Sequence, residues 1–306
     1  MSVIGIDTSN YTTSIACFDG VTGVNCSKLL PVKAGELGLR QSDAVFHHTK
    51  SLPELSGRLF SHVQADAVTA IGVSTRPRAV EGSYMPCFMV GFAQAKLLSD
   101  ALHVPLVEVS HQQGHVAASL WSAGRLDLME VPHLAWHLSG GTTELLLVEP
   151  EGRNVKCSRI GGTTDISAGQ LIDRTGVMLG LPFPAGKHLD ALSKDAQGRE
   201  VFKVKCPGTE FSLSGVQNKV QQFHSGNAEE TAAYALRCVA YAVHKATENA
   251  LKAYPGLEVV FSGGVASNSM LRSMTQDLHP VFCEPQYSTD NAMGVAVLAH
   301  RLQEGR

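Results

Sequence analysis

The order of predicted elements repeats, and that repetition limits the possible folds more than any other property of this chain. Residues 3–7 and 14–18 are short runs rich in β-formers, joined by the polar stretch 8–13, so they predict a hairpin. Residues 26–32 extend the same sheet, and 33–49 has little periodicity and reads as a loop. A helix over 52–63, a strand over 70–74, a helix over 88–102 and a buried strand over 104–109 complete the first half. The pattern then begins again. Strands 134–138 and 144–149 flank the small polar tip Ser139-Gly140-Gly141-Thr142-Thr143, with 156–160 as a third strand. Helices follow over 168–179, 188–194 and 228–253, then a strand over 259–262 running into Gly263-Gly264. A helix over 268–278, a strand over 281–283 and a last helix over 290–304 close the chain.

Two such halves predict an α/β protein of two duplicated domains, 1–109 and 110–287, with the segment 288–306 returning to the first domain. Its 306 residues, 44% of them hydrophobic, are enough for two cores. Duplicated domains of this kind face each other across a cleft, and polar hairpin tips with Gly-Gly turns at strand ends suit a nucleotide. Any one of these glycines can serve as a turn and nothing more. Two polar tips in matching places, together with Ser262-Gly263-Gly264, favour the ligand.

His111 and His115 stand four residues apart at the start of a predicted helix, so both rings share one face. Two neutral imidazoles so placed can converge on one cation, with the remaining ligands coming from elsewhere. No Glu follows His111, so the zinc-protease pattern, which needs that Glu as its base, is excluded. His133 and His137 have the same spacing on a predicted strand, and spacing alone does not separate the two pairs.

Charge narrows the partners. Lys and Arg number 25 against 28 Asp and Glu, a net charge of −3 with no basic block. Strong nucleic-acid binding by the isolated chain is therefore not expected and would need partners or a local patch. The start of the chain shows no signal-peptide pattern and no apolar run is long enough to span a bilayer, so a cytoplasmic protein with no membrane contact is expected. The seven Cys include no CxxC and read as free thiols of a reducing compartment.

A series of motifs then resembles one family, the TsaD proteins, transferases that make threonylcarbamoyladenosine in tRNA and were once described as O-sialoglycoprotein endopeptidases. The motifs are Gly5-Ile6-Asp7-Thr8-Ser9, His111-Gln112-Gln113-Gly114-His115, Leu138-Ser139-Gly140-Gly141, Ala168-Gly169-Gln170-Leu171-Ile172-Asp173, Leu179-Gly180-Leu181-Pro182-Phe183-Pro184, Phe211-Ser212-Leu213-Ser214-Gly215, Ser262-Gly263-Gly264-Val265-Ala266-Ser267-Asn268 and Ser288-Thr289-Asp290-Asn291. Their order along nearly the whole chain carries the specificity. The resemblance implies two actin/hexokinase-like (ribonuclease H-like) domains facing a nucleotide cleft. It also implies one divalent metal, iron or zinc, held by His111, His115 and Asp290. For threonylcarbamoyl-adenylate, or ATP or AMP, it implies His137, Leu138, Ser139, Gly140 and Gly141 on the phosphate side. Asp173 and Gly186 would lie near the ribose and Asn268 at the adenine end, with Asp7, Gly263 and Gly264 as further contacts. Catalytic residues are not assigned. The implied reaction moves threonylcarbamoyl from the adenylate to adenosine 37 of ANN-decoding tRNA, with TsaB-like and TsaE-like partner proteins.

The first half departs from the family pattern. Asn10-Tyr11-Thr12-Thr13 stands where the family has an acidic tip, and residues 75–82 replace a Gly-Pro-Gly loop, bringing Arg76 and Arg78. Thr142 stands for a His, and only Asp165 remains of an Asp-Asp pair. The expectations are therefore a transferase acting on tRNA or, alternatively, a paralogue with another acceptor or a non-catalytic partner subunit. The two arginines would either face phosphate or be solvated loop residues.

Overall fold

The computed structural model of the protein describes residues 2–31, 39–287 and 290–303. In the first half β1 (Ser2–Thr8), β2 (Thr12–Phe18) and β3 (Gly23–Leu29) are followed by α1 (Gln41–Phe60), β4 (Val68–Arg76), α2 (Phe88–Leu102), β5 (Leu106–Ser110) and α3 (His111–Ser122). Next come β6 (His133–Leu138), β7 (Thr143–Glu151), β8 (Asn154–Thr163), α4 (Ala168–Met178), α5 (Gly186–Leu192), β9 (Glu210–Phe211), α6 (Ser214–Phe223) and α7 (Ala228–Ala253). The chain continues through β10 (Val259–Ser262), α8 (Ser269–Met274) and β11 (Val281–Phe282) to α9 (Met293–Gln303).

The first sheet has the order β3-β2-β1-β4-β5, and the second has β11-β10-β6-β7-β8-β9. Read from β8, the second sheet repeats the first strand for strand, with β9 added outside β8. In both, the opening hairpin is antiparallel and the following strands join in parallel, β1 to β4 to β5 and β6 to β10 to β11. The duplication legible in the sequence is thus a duplication of topology.

β1 is buried on both faces, which is why it reads as a near-continuous apolar run. Ile4 and Ile6 join Ile15, Ile71 and Val73 in a core with Leu52, Leu55 and Leu59 of α1 and Ala95 of α2. Strand alternation turns Gly5 to the other face. A Cβ at Gly5 would stand 2.6 Å from the Ala296 nitrogen, and one at Gly72 would stand 2.7 Å from the Ala299 Cβ. Gly5 and Gly72 are paired across β1 and β4, so together they clear a flat place on which α9 lies.

The chain divides into two compact units, Met1–Val131 with Glu149–Cys157 and Asp290–Arg306, and Pro132–Val148 with Ser158–Thr289. The first unit thus runs past the 109/110 division read from the sequence, because α3 packs on α9. The core of the second unit gathers Trp136, Leu145, Phe211 and Phe261 around the Ala-rich face of α7. Inside it the Trp136 indole N–H donates to Thr247 Oγ1 at 2.8 Å.

The elements differ from the sequence reading in three places. Helix α1 begins at Gln41, within the stretch read as a loop, of which residues 33–38 lie outside the described residues. Its buried stripe passes through His48 and Ser51, and Pro53 lies inside it, so its first turns lack an apolar period. Helix α6 and strand β9 were not anticipated at all. The last helix begins at Met293, which leaves Asp290 in the segment before it, while residues 304–306 lie outside the described residues.

Candidate metal centre

Strand β5 ends at Ser110, whose extended backbone and side chain form the N-cap of α3. The Ser110 hydroxyl accepts from the Gln113 N–H, and the Gln113 side chain accepts from the Ser110 N–H, a reciprocal capping box. This fixes the first turn of α3, so His111 and His115 present their rings to the same side. Their Nε2 atoms are 3.0 Å apart. Asp290 arrives from 175 residues further along the chain, with its Oδ1 3.0 Å from His115 Nε2 and 3.5 Å from His111 Nε2.

Helix packing brings Asp290 there. Gly294 of α9 crosses Gly114 of α3 so closely that a Cβ at Gly294 would overlap the Gly114 carbonyl and stand 2.7 Å from the Ala118 nitrogen. The Asn291 side chain accepts from the Met293 N–H and starts α9. Ser9, at the first hairpin turn, donates to Asp290 Oδ2 at 3.3 Å.

The donor set fits a divalent metal. Bonds of about 2.1 Å put neighbouring ligand atoms about 3.0 Å apart at right angles and about 3.4 Å apart at tetrahedral angles. The observed 3.0, 3.0 and 3.5 Å lie at those values. Two imidazoles and a carboxylate on one side leave positions open for other oxygens, the arrangement expected of a Lewis-acid site. Among the described residues this is the one group of three or more His, Cys, Asp or Glu able to hold a metal, so the His133 and His137 pair gathers no further ligand.

Burial works against charge on His111, but Asp7 and Asp290 outweigh it and push its pKa up to about 10. Burial would raise the Asp290 carboxyl, yet hydrogen bonds and charge from His111 and His115 hold it well below its usual range. A cation held there would take the place of a proton on His111.

In the second unit the hairpin tip between β6 and β7 is closed by Ser139 N–H to Thr142 O at 2.8 Å and Thr142 N–H to Ser139 Oγ at 3.0 Å. The Ser167 hydroxyl, which caps α4, donates to Gly140 O at 2.6 Å. A Cβ at Gly169 would stand 2.5 Å from the Gly140 Cα, and one at Gly263 would overlap the Leu138 carbonyl. Leu138, Ser139, Gly140 and Gly263 therefore share one tightly packed corner, with His137 and Gly141 beside them in the chain and Gly264 next to Gly263. Asp173, Gly186 and Asn268 meet at α5 instead. The Ala185 N–H donates to Asp173 Oδ1 at 2.8 Å, and Asn268 Nδ2 donates to Asp190 at 2.7 Å. Burial raises the Asp173 carboxyl, with the Ala185 N–H acting the other way. Asn268 also caps α8 through the Leu271 N–H, so its amide has structural work.

Asp165, the survivor of the family's acidic pair, is saturated with donors. It accepts from the Ser212 and Ser214 hydroxyls at 2.5 and 2.6 Å and from the Leu213 N–H at 2.8 Å, capping the start of α6. Burial is the largest single influence and raises its carboxyl, but these donors together hold it well below the ordinary 3.8. The stabilisation is thus present above the ordinary carboxylate value and lost as pH falls toward the folded one. Asp165→Ala is expected to lose about 1 kcal/mol at neutral pH, the usual worth of a cap. The gap in melting temperature from wild type should close below pH 3.8, and an unchanged gap in acid would refute the assignment.

Sequence reasoning missed Ser74, Ser9 and the glycine contacts. Ser74 was legible in principle: the register Ile6 to Val73 sets it beside Asp7 on the neighbouring strand.

Comparison with known proteins follows the same lines. The family model TsaD, described as tRNA N6-adenosine threonylcarbamoyltransferase, matches residues 36–297. A tRNA N6-adenosine threonylcarbamoyltransferase of Carboxydothermus hydrogenoformans is 32% identical over 324 residues, covering 99% of this chain and 93% of the relative. Among solved structures, HypF of T. kodakarensis superposes with a TM-score of 0.61 at 14% identity, covering 99% of this chain and 48% of that one. A ROK family glucokinase from Streptomyces griseus, solved with glucose and AMPPNP, gives 0.56 at 10% identity, covering 98% and 100%. At these identities the two structures show the fold alone, of the actin- and hexokinase-like kind.

Proposed function

The chain belongs to the TsaD family of tRNA N6-adenosine threonylcarbamoyltransferases, and from that premise we propose that it transfers threonylcarbamoyl from threonylcarbamoyl-adenylate to adenosine 37 of ANN-decoding tRNA. The observation that carries this reading is the His111, His115 and Asp290 group, whose ligand atoms lie within 4.8 Å of one another.

In the first unit these three residues would hold iron or zinc, which supplies Lewis acidity toward the oxygens of the acyl intermediate. The chain's own contribution there is order: the capped first turn of α3 and the α3–α9 crossing set the ligands before a metal arrives, so binding costs little rearrangement. For the second unit we assign the nucleotide to Leu138–Gly141 with His137, Asp173, Gly186 and Asn268, and Gly263 and Gly264 beside them. The backbone N–H groups of a glycine-rich tip suit phosphate oxygens. Positioning and charge stabilisation at the carbamoyl carbonyl, with AMP leaving, are then the means of catalysis.

With a net charge of −3, tight tRNA binding falls to partner subunits, of the TsaB-like and TsaE-like kinds. No helix among the described residues is long and apolar enough to cross a membrane. A tRNA substrate places the work in the cytoplasm. The decisive assay supplies threonylcarbamoyl-adenylate, an ANN-decoding tRNA and the partner proteins, and measures threonylcarbamoyladenosine by mass spectrometry. Absence of product while a family relative succeeds under the same conditions would sink the reading.

A further inference from the structure

Asp7, expected from the sequence among the nucleotide contacts, is completely buried at the end of β1. Its Oδ1 lies 2.9 Å from His111 Nδ1, on the side of the ring away from His115 and Asp290. We propose that Asp7 is a positioning residue for the metal centre, acting through His111 and not touching metal or substrate. This rests on the metal reading of His111, His115 and Asp290.

A carboxylate has only acceptors to offer, so the His111 nitrogen facing it carries the hydrogen. In the neutral ring this leaves the lone pair on Nε2, the nitrogen 3.0 Å from His115 and 3.5 Å from Asp290. Asp7 thus selects the tautomer that can bind a cation and fixes the ring against rotation. The carboxylate is itself held. The Ser74 hydroxyl donates to the same Oδ1, and the Asp7 backbone is locked between β2 and β4, opposite Ser14.

The other oxygen argues against a merely structural role. Asp7 Oδ2 is buried and has no hydrogen-bond partner among the described residues. A buried carboxylate half unsatisfied weakens a fold, and such groups persist where the satisfied half has a task. Burial also keeps any nucleotide from reaching it.

The test titrates the full chain with Co(II) or Zn(II) against a chelator, for wild type, Asp7→Ala, Asp7→Asn, His111→Ala and the double variant Asp7→Ala/His111→Ala. Loss of a carboxylate behind a metal-binding His typically costs about 10–100-fold in affinity. Asp7→Ala is expected to show that loss and to move the visible bands of bound Co(II). Asp7→Asn keeps an acceptor for the Nδ1 hydrogen and should retain more affinity than Asp7→Ala. With His111 already replaced, Asp7→Ala should change nothing. Wild-type affinity in Asp7→Ala overturns the proposal, as does a loss that persists in the His111→Ala background, which would mark Asp7 as a through-space charge. If circular dichroism shows Asp7→Ala unfolded, Asp7→Asn decides, since a loss as large as that of His111→Ala also overturns it. A wild-type chain that binds neither metal would instead overturn the metal reading itself.

Discussion

His111→Ala and Asp290→Ala are each expected to empty the metal centre. Purified wild-type protein should carry iron or zinc near one equivalent per chain by elemental analysis, and either variant should fall to background. The size of the effect follows from the geometry. Three candidate ligands share the site, with 3.0, 3.0 and 3.5 Å between their donor atoms. Removing even an outer partner of a metal-bound His costs about 10–100-fold, so removing a ligand costs more than about 100-fold. The two variants should differ in their folding. Asp290 is partly exposed in the segment ahead of α9 and its loss leaves the helices intact, so the melting temperature of this variant should stay close to that of metal-free wild type. Loss of His111 strands the buried Asp7 carboxylate without its strongest partner, and this variant should be the less stable of the two. Wild-type protein with no metal above background would refute the site.

The two halves of this chain were legible because a buried hairpin leaves a strong mark: apolar runs such as Val3–Ile6 and Leu134–Leu138 around short polar tips. The His pair was legible as spacing, and the capped helix beneath it followed from Ser110 and Gln113. Asp290 was not legible from spacing. No local pattern joins residues 115 and 290, and only the family's motif order linked them before the structure did. The path between them is written in glycines. Gly5, Gly72 and Gly294 look like ordinary small residues in sequence, yet each marks a backbone approached too closely for a side chain. The first turns of helix α1 were lost for the opposite reason, because polar His48 and Ser51 fill core positions where an apolar period was sought. His48 is completely buried with Nδ1 on the Thr13 hydroxyl at 2.8 Å, a polar contact that periodicity cannot foresee.

Gly294→Val should therefore disable the metal centre without touching a ligand. A Cβ at this position would overlap the Gly114 carbonyl oxygen, and the next nearest atoms, Ala118 N and Gly114 C, are both at 2.7 Å. All three are backbone atoms of α3, so no side chain can rotate away, and α3 and α9 must separate. Overpacking of this kind costs about 1–3 kcal/mol when only side chains must yield, and more where two helices must. The separation carries Asp290, four residues upstream of Gly294, away from His111 and His115. Metal affinity should fall along with melting temperature, and Gly294→Ala should show the same two effects to a smaller degree. Gly57 supplies the contrast. It lies exposed within α1 with nothing within 4 Å of its would-be Cβ, so Gly57→Ala should add about 0.5–1 kcal/mol by helix propensity alone and leave metal binding unchanged. Differential scanning fluorimetry with and without Zn(II) separates the cases: zinc should raise the melting temperature of wild type and Gly57→Ala, and leave that of Gly294→Val unmoved. A Gly294→Val chain that kept wild-type metal affinity would mean that the α3–α9 crossing does not set the position of Asp290.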